Sequence, residues 1–257
     1  MAGATDSPRM PYMTIVIPAY NEQNRLPNSL DLILDYLLSQ EFASEIIVVD
    51  DGSTDRTYSL AHEFGETVGK RTDKVLFRVV CNAANVGKGF SVARGLELAL
   101  GERVLFTDAD LSAPIGEADK LASWLDRGYD VAIGSRRLPG SQVEPQPLYR
   151  RLMGTLFGLL TSLIVVRGYR DTQCGFKMYK ARAAKAIAAL QVMPGFVFDV
   201  EQLFLAKRLG LKVIEVPISW ADDRETKVRI LTDPLKMGIG LFKIRVVHSG
   251  LVREELE

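Results

Sequence analysis

Five short apolar runs, separated by segments with helical spacing, constrain this chain most. They are Met13–Ile17, Glu45–Val49, Val75–Val80, Arg103–Phe106 and Asp130–Ile133. Between the first two, Leu30, Ile33, Leu34, Leu37 and Leu38 recur at helical intervals, with Pro27 near the start of the pattern. Gly89–Leu100 and the segment after Pro114 read the same way, the latter with Leu121, Trp124 and Leu125 on one face. Strands that are apolar throughout, rather than alternating, are buried on both sides. The pattern therefore predicts an α/β fold, a Rossmann-like and mostly parallel sheet flanked by helices. Ligands of such sheets bind beyond the carboxyl ends of the strands. A chain of 257 residues supports one large domain of this kind.

The second half has another character. A Pro- and Gly-rich loop spans Gly140–Pro147, and a long apolar helix is expected near Tyr149–Val166. A short strand near Phe176–Tyr179, an Ala-rich helix from Ala181 and a helix over about Asp199–Leu209 follow. Next come a strand at Lys212–Ile218 and an amphipathic helix over Asp233–Val247. The expected organisation is a tail at 1–12, one domain over 13–231, and a C-terminal helix and tail over 232–257. Formal net charge is zero, which gives no global field for nucleic acid. Cys81 and Cys174 lack metal-ligand or CxxC spacing, so a reducing compartment fits. The N-terminus lacks the pattern of a signal peptide. The longest apolar run is shorter than the about 20 residues of a spanning helix. The expected location is cytoplasmic, with peripheral contact at the cytoplasmic membrane face as an open alternative.

The chemistry sits in loops that follow the strands. Thr107-Asp108-Ala109-Asp110 closes the fourth run, and its two carboxylates raise each other's pKa unless a cation neutralises them. Mg²⁺ or Mn²⁺ suits such oxygens together with phosphate. Alone, the triplet is read as well as a solvated acidic turn. Asp50-Asp51-Gly52-Ser53-Thr54-Asp55 follows the second run. Asp51 can accept from a base or ribose, and Asp55 with the hydroxyls of Ser53 and Thr54 can organise the turn and cap the next helix. In Pro18-Ala19-Tyr20-Asn21-Glu22, Tyr20 is suited to pack on a base and Glu22 to bind ribose or base; a simple turn is the alternative. Asn85-Val86-Gly87-Lys88-Gly89 places glycines and a lysine at a helix start, a phosphate-binding pattern without Walker A spacing.

Taken together, PAYNE, DDGSTD, NVGKG and TDADLS resemble the nucleotide-sugar half of family-two inverting glycosyltransferases of the GT-A fold. The resemblance implies nucleoside contacts at Pro18, Tyr20, Glu22 and Asp51. It implies ribose, sugar or phosphate contacts at Lys88 and Asp108, and a metal ligand at Asp110. The second half, with Gly134-Ser135-Arg136, the run DTQCGFK and the run FDVE, is similar to the polyprenyl-phosphate sugar transferases, most of all the dolichyl-phosphate β-glucosyltransferases. This implies transfer of a hexose, glucose from UDP-glucose, to a polyprenyl (dolichyl) phosphate with inversion. A GDP-mannose donor and a small soluble acceptor stay open as alternatives, as does a nucleotide-sugar-binding module without turnover. Under the phosphate reading, Arg224 and Lys227 stabilise the leaving diphosphate. Arg136, Arg151 and Gln173 hold the acceptor. Asp199 or Glu201 is the candidate base if the acceptor is an alcohol. For these two acids a helix N-terminal role is the alternative, and for Arg136 and Arg151 a solvated surface charge.

Overall fold

The computed structural model describes residues 10–144, 148–221 and 233–251. The chain runs β1 (Met13–Ala19), α1 (Leu26–Ser39), β2 (Ser44–Asp50), α2 (Thr57–Arg71), β3 (Val75–Cys81), α3 (Lys88–Leu98) and β4 (Arg103–Thr107). It continues with α4 (Ala118–Asp126), β5 (Val131–Ser135), β6 (Gln142–Val143), α5 (Leu148–Ile164), β7 (Phe176–Lys180) and α6 (Ala181–Leu190). Last come α7 (Phe198–Arg208), β8 (Val213–Pro217), β9 (Ser219–Trp220) and α8 (Asp233–Val247). The expected α/β architecture is present as a 7-stranded sheet of order β3-β2-β1-β4-β7-β5-β8.

Both faces of the sheet are covered, as the apolar strands require. Ile15, Ile17, Ile46 and Val48 pack with α1, α2 and α4 on one side. Val16, Ile47, Val49 and Phe106 pack with α3, α6 and α7 on the other. This period-2 partition into two cores fixes the register of each strand, because a one-residue slip would exchange the two sets.

Two features position the site. The order 3-2-1-4 reverses between β1 and β4, and such a switch point opens a crevice at the strands' carboxyl ends. The sheet is mostly parallel, as expected, and the exception is β7, which is antiparallel to both β4 and β5. Its amino end therefore lies at the edge where β4 and β5 end. Thr107, the last residue of β4, pairs with Phe176, the first of β7. That pairing brings the segment before β7, Asp171–Gly175, beside Asp108.

A candidate donor site closed by a ring of four loops

The four loops expected at the sheet edge are tied into one ring. The loop after β1 joins the loop after β2 through Asn21. Its N–H donates to Ser53 Oγ (2.9 Å), and its Oδ1 accepts from the Thr54 N–H (2.9 Å). Asn21 adopts φ 53°, a left-handed conformation that asparagine tolerates better than most residues. Asp55 Oδ1 accepts from the Thr57 N–H (2.9 Å), so Asp55 satisfies the first turn of α2 and the cap expected at Thr54 is not formed.

Asp51 joins the second loop to the third. Its Oδ1 accepts from Asn82 Nδ2 (2.7 Å) and the Val86 N–H (3.1 Å), and its Oδ2 from the Gly87 N–H (2.8 Å). The side chain is buried and both oxygens are engaged within the chain. The contacts made by Asp51 thus shape the glycine loop. Gly87, at φ 127°, lies where a Cβ would collide with the Pro194 carbonyl, which is why this position is glycine.

Lys88 joins the third loop to the fourth, with Nζ 2.6 Å from Asp108 Oδ1. Burial pulls the Lys88 ammonium down, but Asp108, Asp199 and Asp110 outweigh it and leave its pKa above the ordinary lysine value. The ring closes between the fourth loop and the first. Ser29 Oγ donates to the Ala109 carbonyl (2.7 Å), and Arg25 Nη1 stands 3.9 Å from Asp110 Oδ2. Arg25 also grips Glu22 with two bonds of 2.7 Å, from Nε to Oε2 and from Nη2 to Oε1. Glu22 is consequently buried and paired, while Tyr20 is exposed at the rim and Pro18 is buried in β1 beyond the last β1–β4 pair.

Asp108 and Asp110 lie just past the end of β4, in a turn that includes Leu111 at φ 47°. Asp110 Oδ1 accepts from the Ser112 N–H (3.0 Å), and the carboxylate stays partly open, at 21 % side-chain exposure. Burial and then the neighbouring Asp108 charge raise its pKa above the usual carboxylate value; the Ser112 N–H and Lys88 oppose them. A divalent cation would relieve that repulsion. Among the described residues no group of three or more His, Cys, Asp or Glu forms a ready cage. The donor set fits a hard ion held by one or two carboxylates, with diphosphate oxygens and water completing it. Gly175 leaves room for this arrangement: any Cβ there would strike the Asp108 carboxylate.

The acceptor-side residues divide. Arg136 is fixed by Asp171, with Nε donating to Oδ2 (2.7 Å) and Nη2 to Oδ1 (2.8 Å), and it lies over the Trp220 ring at 5.3 Å. Burial opposes both charges, yet the pair holds Arg136 above its ordinary pKa and Asp171 below its own. Gln173 is half-buried in the segment before β7. The expected roles of Arg224 and Lys227 lie outside the described residues, as does the side chain of Arg151.

The two candidate bases are not presented as bases. Asp199 is buried against Lys177 Nζ, and Lys177 is fully buried in the middle of β7. Glu201 is fully buried and accepts from two backbone amides, with His248 beside it. The anion site expected at the start of α3 also changes, because the Pro194 carbonyl accepts from the Gly89 N–H (2.7 Å) and the Phe90 N–H (3.2 Å). Lys88, and not these amides, is the cationic group the loop presents. Sequence reasoning missed Arg25, Asn82 and Lys177. Only Lys177 left a signal, a lysine within a strand whose neighbours are all apolar.

Comparison with known proteins gives the family and the fold. The glycosyl transferase family 2 model matches residues 14–188. The chain is 35% identical over 255 residues to the dolichyl-phosphate beta-glucosyltransferase of Drosophila melanogaster, covering 94% of this chain and 76% of that protein. To the Homo sapiens protein of the same name it is 33% identical over 253 residues, with the same coverages. Its fold matches that of glucosyl-3-phosphoglycerate synthase from Mycobacterium tuberculosis in complex with Mn²⁺, uridine-diphosphate-glucose and phosphoglyceric acid. There the TM-score is 0.66 at 20% identity, over 95% of this chain and 81% of the other. The chain, a glycosyltransferase, belongs to glycosyl transferase family 2.

Proposed function

We propose that the protein transfers glucose from UDP-glucose to a polyprenyl phosphate such as dolichyl phosphate, inverting the anomeric carbon. The activity named for the fly and human relatives supports the sugar and the acceptor. The ligands named for the mycobacterial structure support the donor and a divalent ion. One structural observation carries the choice of acceptor. Asp199 is held by Lys177, and Glu201 by two amides and His248. An alcohol acceptor needs a base within hydrogen-bond reach. A phosphomonoester, with its second pKa at about 6, arrives already ionised.

In this reading the uridine side of the donor lies over the loops after β1 and β2, with Tyr20 at the rim. Lys88 places its ammonium at the diphosphate, and Asp110 with Asp108 holds Mg²⁺ or Mn²⁺. Bound there, the ion supplies charge neutralisation for the departing diphosphate. Arg224 and Lys227 add to that neutralisation. Arg136, immobilised by Asp171, holds the acceptor phosphate through the N–H groups that Asp171 leaves, and Arg151 and Gln173 complete that side. An acceptor phosphate oxygen attacks the anomeric carbon opposite the diphosphate. A new C–O bond forms as the old one breaks, the electron pair leaves with UDP, and no proton moves.

The acceptor's lipid calls for a membrane-facing surface. Among the described residues no helix is long and apolar enough to cross a membrane. α5 and α8 nevertheless pack together, with Arg245 Nη1 donating to the Ile164 carbonyl (3.0 Å). They leave Leu156, Leu159, Leu163, Ile239, Phe242 and Val246 exposed, each by more than half. Exposed Arg167, Lys243 and Arg245 accompany this face. An apolar face with a basic fringe suits the interface of an anionic bilayer, here the cytoplasmic leaflet. The pair Leu163→Glu and Phe242→Glu is expected to cut cosedimentation with anionic vesicles about tenfold or more, given the apolar area removed, and to leave UDP binding unchanged. Wild-type protein that fails to sediment with such vesicles would contradict this surface.

Product analysis tests the function itself. UDP-glucose and GDP-mannose are offered separately with Mg²⁺ and either polyprenyl phosphate or soluble alcohols. The expected product is polyprenyl-phosphate β-glucose from UDP-glucose alone. Exclusive use of GDP-mannose, or of an alcohol acceptor, would overturn the proposal.

A further inference from the structure

Glu201, in the first turn of α7, is a buried acid that the transfer step does not use. A buried carboxylate is costly unless donors meet its oxygens. Oε1 accepts from the Val192 N–H (3.0 Å), and Oε2 from the Met193 N–H (2.8 Å). His248 Nε2 lies 2.7 Å from Oε1. His248 is itself buried, and it follows directly on α8. The carboxylate thus ties the end of the C-terminal helix to the loop between α6 and α7.

That loop reaches the donor site from its other side. α3 has no side-chain cap at its start, so the first amides of the helix need another acceptor. The Pro194 carbonyl supplies it, accepting from the Gly89 and Phe90 N–H groups at 2.7 and 3.2 Å. Gln191 Nε2 adds a bond to the Gly89 carbonyl (2.7 Å). Gln202 Nε2 steadies Gln191 Oε1 (2.9 Å), and Tyr179 Oη donates to Gln202 Oε1 (2.7 Å). Hydrogen bonds, joined through the backbone of residues 191–194, therefore link His248 and Glu201 to the residue next to Lys88.

We infer that Gln191, Glu201 and His248 are positioning residues for donor binding, setting the place of the Lys88 loop without touching donor or acceptor. The inference rests on the proposed contact of Lys88 with the donor diphosphate. It also makes the C-terminal helix part of the donor site's scaffold, although that helix lies outside the ring of four loops.

The test compares Gln191→Ala, His248→Ala, Glu201→Gln and Lys88→Met in the full chain. KM for UDP-glucose, KM for polyprenyl phosphate, kcat and the thermal midpoint are measured for each. Gln191→Ala removes the direct bond to Gly89 and leaves no buried charge. Its expected effect is about a fivefold rise in donor KM, the size of one lost hydrogen bond, with acceptor KM and kcat within about twofold of wild type. His248→Ala is expected to move donor KM in the same direction. Glu201→Gln sets an NH₂ against a backbone donor and is expected to move it furthest; if that variant does not fold, the other two decide. A purely structural role would lower the thermal midpoint and leave donor KM alone. Unchanged donor KM in both Gln191→Ala and His248→Ala, with a raised value in Lys88→Met, would overturn the inference. Unchanged donor KM in Lys88→Met would overturn the Lys88 contact on which it stands.

Discussion

Asp110→Asn is expected to lower kcat/KM about 10³-fold, the scale of losing a principal electrostatic contact to a transition state, while the fold stays intact. The carboxylate lies past the strand and is partly open, at 21 % side-chain exposure. The amide keeps the shape and can still accept from the Ser112 N–H, so what is lost is charge. The apoprotein already holds that charge at a cost, since burial and Asp108 raise the pKa of Asp110. Cation binding requires the ionised form, so metal-assisted donor binding weakens as pH falls through that raised value. The variant is checked by steady-state kinetics and by its thermal midpoint. A drop of less than tenfold would remove Asp110 from the role given to it.

Lys177→Met is expected to cost about 3–5 kcal/mol of stability, because it strands the Asp199 carboxylate in the interior. Lys177 is fully buried, and Asp199 nearly so. The ammonium also lies 5.9 Å from the Phe106 ring centroid and 5.7 Å from that of Phe198, so aromatic rings flank the buried pair. Such a loss is a large share of the about 5–15 kcal/mol that holds a domain together. The double variant Lys177→Met with Asp199→Leu is expected to recover most of it, since removing both charges leaves neither unpaired. Denaturant unfolding of the two single variants and the double completes the cycle. Additive losses would show that the two charges do not depend on each other.

Much of this architecture is legible in the sequence because its cause is local. Apolar runs buried on both faces announce parallel strands, and the loops after them collect at one edge. The family motifs lie in those loops, so the chain order of strands and motifs already makes neighbours of Lys88, Asp108 and Asp110. Tertiary pairing is less legible. Asp51 and Glu22 carry the residue type of ligand contacts, but Asn82, two loop amides and Arg25 claim them. Asp199 and Glu201 look like accessible acids of a helix first turn; Lys177 stands out among its apolar strand neighbours, but nothing local pairs it with Asp199 or His248 with Glu201. The reversed direction of β7 is hidden for the same reason. A five-residue strand reads identically either way, and only its partners β4 and β5 set its direction.

In the proposed function, the ring of loops around Lys88, Asp108 and Asp110 forms one cation-assisted site for a nucleoside diphosphate. Calorimetric titration of UDP into the full chain, with Mn²⁺ and then with excess chelator, tests it most directly. Saturable binding is expected with Mn²⁺, weakening at least tenfold in chelator and equally weak in Asp110→Asn, the loss expected when a diphosphate contact is removed. Equal affinity with and without the ion, or no binding of UDP in either condition, would contradict it.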